Sequence, residues 1–151
     1  MSVCKVLQSR RAKIYCIFLD HIIPLFKKNS LIMQQEEPVI HRLRENMLEL
    51  LKQLLIRFVK AKEISQAKDL TDIDYHVCKK QKSDDTLIVG SETRKYLAER
   101  KLHESNLCQF YKDVRDYYTT VCDDIVKRFP LNNELLKHNA VADVSKKMMS
   151  F

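Results

Sequence analysis

PVIHRLRENMLELLKQLLIRF, residues 38–58, is the longest clean amphipathic run in the chain. At the helical step of 100° per residue, Ile40, Leu43, Met47, Leu51, Leu54 and Phe58 fall on one narrow face. Leu48, Leu50, Leu55 and Val59 widen that face, and Arg42, Glu45, Glu49, Lys52, Gln53 and Lys60 lie opposite. This is a helix with a broad apolar stripe and a solvated back. Pro38 suits a first helical turn, where its missing N–H costs nothing, and Glu36 and Glu37 suit the positive end of the helix dipole. Two residues break the pattern. Arg44 lies on the flank of the apolar face, either snorkelling to water or paired with an acid of another helix. Ile56 points away from it.

Upstream, Arg10, Arg11 and Lys13 lead into a first helix carrying Ile14, Ile17, Phe18, Ile22, Leu25 and Phe26. Pro24 is expected to kink or interrupt it. Asn29 and Ser30 mark a turn or a new cap. The short connection to residue 38 predicts that this helix and the central one pack antiparallel. Downstream, residues 61–85 read as one long loop with one or two short helical turns, because apolar residues are sparse there. Leu87-Ile88-Val89-Gly90 is a short apolar run closed by the only glycine. Ser91 is the expected cap of a third helix over about residues 92–101, with Tyr96 and Leu97 inward.

A fourth helix opens at Glu104 or Ser105 and runs to about Arg128. Leu107, Phe110, Tyr111, Val114, Tyr118, Val121, Cys122, Ile125 and Phe129 form its apolar face. Lys112 with Asp116 and Asp123 with Lys127 have the i,i+4 spacing of exposed ion pairs. Pro130 stops it, and Asn132 or Asn133 caps a short fifth helix holding Leu135 and Leu136. The fold class that follows is all-α: an irregular bundle of about five helices with one long loop. Residues 10–145 form the helical domain, 1–9 a flexible N-terminus and 146–151 a loose basic tail.

Composition narrows the function classes. The chain has 151 residues, 27 Lys and Arg against 20 Asp and Glu, and a formal charge of +7. That length fits one domain with a real core. One glycine argues against an all-β fold and leaves no phosphate-cradling Gly-rich loop. Five widely spaced cysteines, with no CxxC, read as reduced thiols, and Cys122 reads as core. The apolar run of residues 14–26 contains Asp20 and His21 and is too short and polar to span a bilayer, so no membrane partner is expected.

Chemistry-bearing clusters are thin. His76 and Cys78, with Asp72 and Asp74 nearby, supply one pair of the ligands that a structural zinc site needs, so no metal and no cofactor are expected. Asp69, Asp72, Asp74, Asp84 and Asp85 sit in a polar stretch and read as solvated charge rather than a magnesium site. No catalytic residue is assigned, and the chain reads as non-enzymatic. The basic clusters are better placed. Arg10, Arg11, Lys13, Lys79, Lys80 and Lys82 are the candidate DNA contacts, since phosphate neutralisation needs only clustered cations on one face.

One resemblance runs through these segments. Phe18-Leu19, Ile23-Pro24-Leu25-Phe26, Gln35-Glu36-Glu37-Pro38 with Ile40-His41 and Leu43, and Leu87-Ile88-Val89-Gly90 with Thr93-Arg94 and Tyr96-Leu97 come in this order. Phe110-Tyr111, Val114-Arg115, Tyr117-Tyr118, Lys127-Arg128-Phe129-Pro130-Leu131 and Leu135-Leu136-Lys137-His138 follow. Their order and spacing over residues 14–143 resemble transposon-derived proteins of the hAT superfamily. The resemblance implies the helical region inserted within an RNase H-like transposase domain. No position here matches that family's catalytic acids, its BED finger or its dimerisation segment. It further implies an intracellular, nuclear protein with non-specific DNA contact. The alternative is a protein-interaction module that uses leftover apolar surface, such as Ile56 or the first helix, against a protein partner or the rest of a transposase-like protein.

Overall fold

The computed structural model describes residues 9–34, 40–129 and 131–132. Among them are five α-helices: α1 (Arg10–Met33), α2 (Ile40–Phe58), α3 (Ala61–Gln66), α4 (Ser91–Glu99) and α5 (Glu104–Arg128). Short 3-10 turns occupy Leu70–Asp72 and Cys78–Lys80. The only β pairing among the described residues is an isolated antiparallel bridge between Val59 and Gln81. The chain is therefore an all-α bundle. The short helix expected around Leu135, the Glu36–Pro38 segment, the N-terminus before Ser9 and the basic tail lie outside the described residues.

Helix α1 begins on Ser9, whose hydroxyl accepts the Ala12 N–H at 3.0 Å. It then continues through Pro24, and Asn29 and Ser30 lie inside it. The helix is not interrupted there. Proline deprives the carbonyl four residues back of its donor. Here both Pro24 and that residue, Asp20, are exposed, so water can satisfy the orphaned oxygen. Ile14, Phe18 and Ile22 are the buried residues of α1.

The expected stripe of α2 is the centre of the core. Met47, Leu50, Leu51, Leu54, Leu55, Phe58 and Val59 are all buried, while Arg42, Glu45, Glu49 and Lys52 are exposed. Helix α5 supplies the opposing wall with Phe110, Tyr111, Val114, Tyr118, Cys122 and Ile125. The rings of Phe58 and Tyr118 stack at 5.5 Å between centroids, and Phe18 of α1 meets Tyr118 edge-on at 5.8 Å. Helices α1 and α2 run antiparallel, as the short connection predicts: His21 meets Arg57 near one end, and Ile32 shares a small slot with Asn46 near the other.

Arg44 follows neither of its expected routes. Its Nε donates to the carbonyl of Leu131 at 2.8 Å, which ties α2 to the chain just beyond α5. Helix α4 starts one residue earlier than expected. Gly90 is its cap, with φ of 96°, and Ser91 is its first helical residue. A β-carbon on Gly90 would lie 2.6 Å from Cγ of His21, so the turn needs glycine for both its dihedral and its contact.

Candidate functional site

The stretch between α2 and α4 holds most of the chemistry. It begins where α2 leaves four carbonyls without helical donors, a cost every helix C-terminus must meet. Here each has a partner. The Leu55 carbonyl accepts from Val59 N at 2.8 Å, and that of Phe58 from Lys82 N at 2.7 Å. The Arg57 carbonyl accepts from Ile88 N at 2.9 Å. The Ile56 carbonyl accepts from Lys82 Nζ at 2.6 Å. The connector is thus the cap of the central helix. It also carries core: Ile73, Tyr75, Leu87 and Val89 are buried. Tyr75 donates to Asp123 of α5 at 2.6 Å, and buried Gln81 donates through Nε2 to the Tyr75 carbonyl at 2.8 Å. Burial, reinforced by the Asp123 carboxylate, pushes the Tyr75 phenol well above its ordinary range.

Between this connector and α5 lies an open groove of about 680 Å³. Lys60, Lys82, Lys112 and Arg115 line it, with His76 beside them and one carboxylate, Asp116. Two of these ammonium groups are held by neutral oxygens: Lys60 Nζ donates to the Lys79 carbonyl at 2.6 Å, and Lys82 Nζ to Ile56. Their positions are therefore set while their charge stays uncancelled by those partners. Burial lowers the Lys82 pKa. Arg115 bridges the Lys82 carbonyl at 2.9 Å and the Asp84 carboxylate. His76 donates to Asp123 at 2.9 Å and stacks on the Tyr75 ring. Asp123 therefore serves the connector, not the expected i,i+4 partner Lys127, and the i,i+4 pair at this end of α5 joins Arg128 to Asp124 at 4.0 Å.

The six expected DNA-contact residues fall into separate places. Arg10, Arg11 and Lys13 are exposed on the first turns of α1, with Lys13 Nζ 5.7 Å over the Tyr96 ring. Lys79 is exposed outside the groove, and Lys80 sits 3.8 Å from Glu63. Only Lys82 of the six lines the groove. Lys60, His76, Lys112 and Arg115 are the additions. Lys112, Arg115 and Thr119 share one face of α5, so that face was present in the helical wheel. The connector folding over it was not.

The acid cluster scatters. Asp69 caps a 3-10 turn by accepting the Thr71 N–H, Asp84 holds Arg115, and Asp72, Asp74 and Asp85 are exposed. Among the described residues no three His, Cys, Asp or Glu side chains converge as a metal set. Cys16, Cys78 and Cys108 are exposed free thiols. Cys122 is fully buried, and burial pushes its thiol up to about 12. No described helix is long and apolar enough to cross a membrane.

A second polar node joins four elements at the other side of the connector. Arg57 Nη1 donates to His21 Nε2 at 3.0 Å, and the Tyr118 hydroxyl donates to the Ile88 carbonyl at 2.7 Å. Burial and the Arg57 charge lower the His21 pKa, so the ring stays neutral and accepting. No protein-family model matches the chain, and no curated protein or solved structure matches it.

Proposed function

We propose that this chain is a non-enzymatic helical domain that contacts DNA through its phosphates, without reading sequence, as a piece of hAT-like transposase ancestry would. The observation that carries this reading is the groove, where Lys60, Lys82 and Lys112 stand around one lining carboxylate, Asp116, while Arg115 is held by Asp84. Lysines held on carbonyl oxygens are suited to phosphate oxygens, because little side-chain ordering remains to be done on binding. His76 is the one ring on the groove lining, and it is already stacked on Tyr75, so a base-stacking platform is not part of the proposal. Arg10, Arg11 and Lys13 are a second, separate basic cluster, exposed on the first turns of α1.

The test is a duplex-DNA titration at two salt concentrations, with Lys112→Glu as the groove variant. Lys112 is exposed, so the change leaves the core alone. Each lost phosphate contact lowers the log–log salt slope by about 0.9. Absence of binding at low salt sinks the reading, and binding without a salt slope rules out the phosphate mode.

The second reading, a protein-interaction module, is favoured by the outer side of α1. Leu19 and Ile23 stand one turn apart and are 41% exposed, and Leu31 is 66% exposed. Ile56 of α2 is 41% exposed as well. Sedimentation as a monomer, together with no binding of an apolar-surface dye, would count against it.

A further inference from the structure

The elbow between α4 and α5 forms a cleft of about 480 Å³ on a surface separate from the phosphate groove. That volume is within the range of about 300–1,000 Å³ typical of ligand-sized pockets. Its apolar lining is Leu97, Leu102, Leu107 and the ring of Tyr111. Arg94, Arg100 and Lys101 supply the charge, and no carboxylate lines the cleft. Arg94 is fixed in place. It donates to the Tyr111 hydroxyl at 2.8 Å and to the carbonyls of Asp84 and Leu87, and it lies 5.5 Å over the Tyr111 ring. All three acceptors are neutral, so these bonds orient the guanidinium without cancelling its charge. The nearest acid in that set, Asp84, gives its carboxylate to Arg115 instead.

An apolar floor alone would take any greasy side chain, and cations alone would take any phosphate. The combination selects a ligand that is apolar and acidic within a few ångströms. A nucleic-acid backbone cannot use the leucines, since a phosphate gains nothing by covering them. We propose that this cleft docks a short acidic–apolar peptide segment of a partner protein. A leucine- or phenylalanine-sized side chain would enter between Leu97 and Leu107, with flanking Asp or Glu carboxylates on Arg100 and Lys101. This is acidic-motif capture by a basic cluster, with an apolar anchor supplying the desolvated centre. It stands independently of the DNA reading, because the two surfaces share no lining residue.

The experiment uses the full chain and a dye-labelled synthetic peptide of mixed Asp, Glu, Leu and Phe, followed by fluorescence anisotropy. Two control peptides replace the acids by Lys or the apolar residues by Ser. The protein variants are Ala98→Glu, which places a carboxylate into the cleft, and Arg100→Glu with Lys101→Glu. All three positions are exposed, so the helical circular dichroism should be unchanged. The acidic–apolar peptide should bind best, and each variant should weaken it by about tenfold or more. Equal binding of either control peptide would overturn the proposal, as would wild-type affinity in both variants. If Ala98→Glu instead weakens duplex DNA as strongly as the peptide, the cleft is a nucleic-acid surface and the proposal fails. Lys112→Glu, which tests the groove, should leave peptide affinity within about twofold.

Discussion

Arg10-Arg11-Ala12-Lys13 and Lys79-Lys80-Gln81-Lys82 carry almost the same string of charge. The first lies on the opening turns of α1, exposed, with Lys13 over an aromatic ring. The second lies across the end of α2 and is drawn into the fold. Lys82 gives both its N–H and its ammonium to α2 carbonyls, Lys80 faces Glu63, and Gln81 is buried. What separates them is the neighbourhood. A helix N-terminus offers a lysine no carbonyl to cap, whereas a helix C-terminus offers four, together with the negative end of the dipole. The same order of charge becomes solvent-facing in one place and a structural cap in the other.

The connector side of this comparison should break first. Gly90→Ala forces a side chain into a φ of 96° and onto His21, which touches the turn feeding α4. Adding the strained dihedral to the overpacking gives a loss of about 3 kcal/mol, measurable as a lowered midpoint in urea. A loss below about 1 kcal/mol would mean that the turn relaxes and that the connector is not held by this contact. Lys82→Met comes next. It keeps the aliphatic stem but removes the ammonium from the Ile56 carbonyl, and should cost about 1–2 kcal/mol. Lys13→Met, the matching change on α1, should stay within about 0.5 kcal/mol. Equal costs at the two lysines would mean that the ammonium of Lys82 does not cap α2.

The periodic helices were legible from sequence and the connector was not. The apolar stripes of α2 and α5 repeat for five or more turns, and the buried positions from Met47 to Phe58 and from Phe110 to Ile125 lie on them, while Leu43, Leu48, Leu107, Val121 and Phe129 pack half-buried against the core. Periodicity works there because one face of a helix meets one wall of core. Residues 61–90 have no period to read. Their order comes from donors reaching back about 25 residues to the end of α2, as Lys82 does to Ile56. Gln81 and Tyr75 are buried within this stretch. Pro24 shows the converse limit: a local rule for helix breaking yields when the affected carbonyl faces water. The groove inherits this difficulty, since half of it is built by the connector.

Acid should test the same junction more gently. The folded-state pKa of His21 is lowered, by burial first and then by the positive charge of Arg57. Between that value and the unfolded one of about 6.5, the unfolded chain binds more protons, so stability rises with pH. It is fully present above about pH 6.5 and falls as the pH drops toward the folded value. Asp20 and Glu92 share a cleft with His21 and favour its charged form, yet burial and Arg57 prevail. Urea midpoints taken through this window should decline for the wild type. His21→Gln retains an acceptor for Arg57 and cannot titrate, so its decline should be shallower. Parallel declines would place the acid sensitivity in another group.

The smallest effect on stability is expected at the exposed end, and it separates charge used for binding from charge used for folding. Arg10→Gln removes an exposed guanidinium, while the backbone carbonyl that accepts from Tyr96 is kept. Its urea midpoint should shift by no more than about 0.5 kcal/mol in stability. If α1 carries phosphate contacts, the salt slope for duplex DNA should nevertheless fall by about 0.9. Lys82→Met, in contrast, should lower both quantities, because its ammonium lines the groove as well as capping α2. A slope unchanged in Arg10→Gln but reduced in Lys112→Glu would confine the DNA contact to the groove. Arg10 would then contribute to neither folding nor binding, whereas Lys82 of the second basic string would contribute to both.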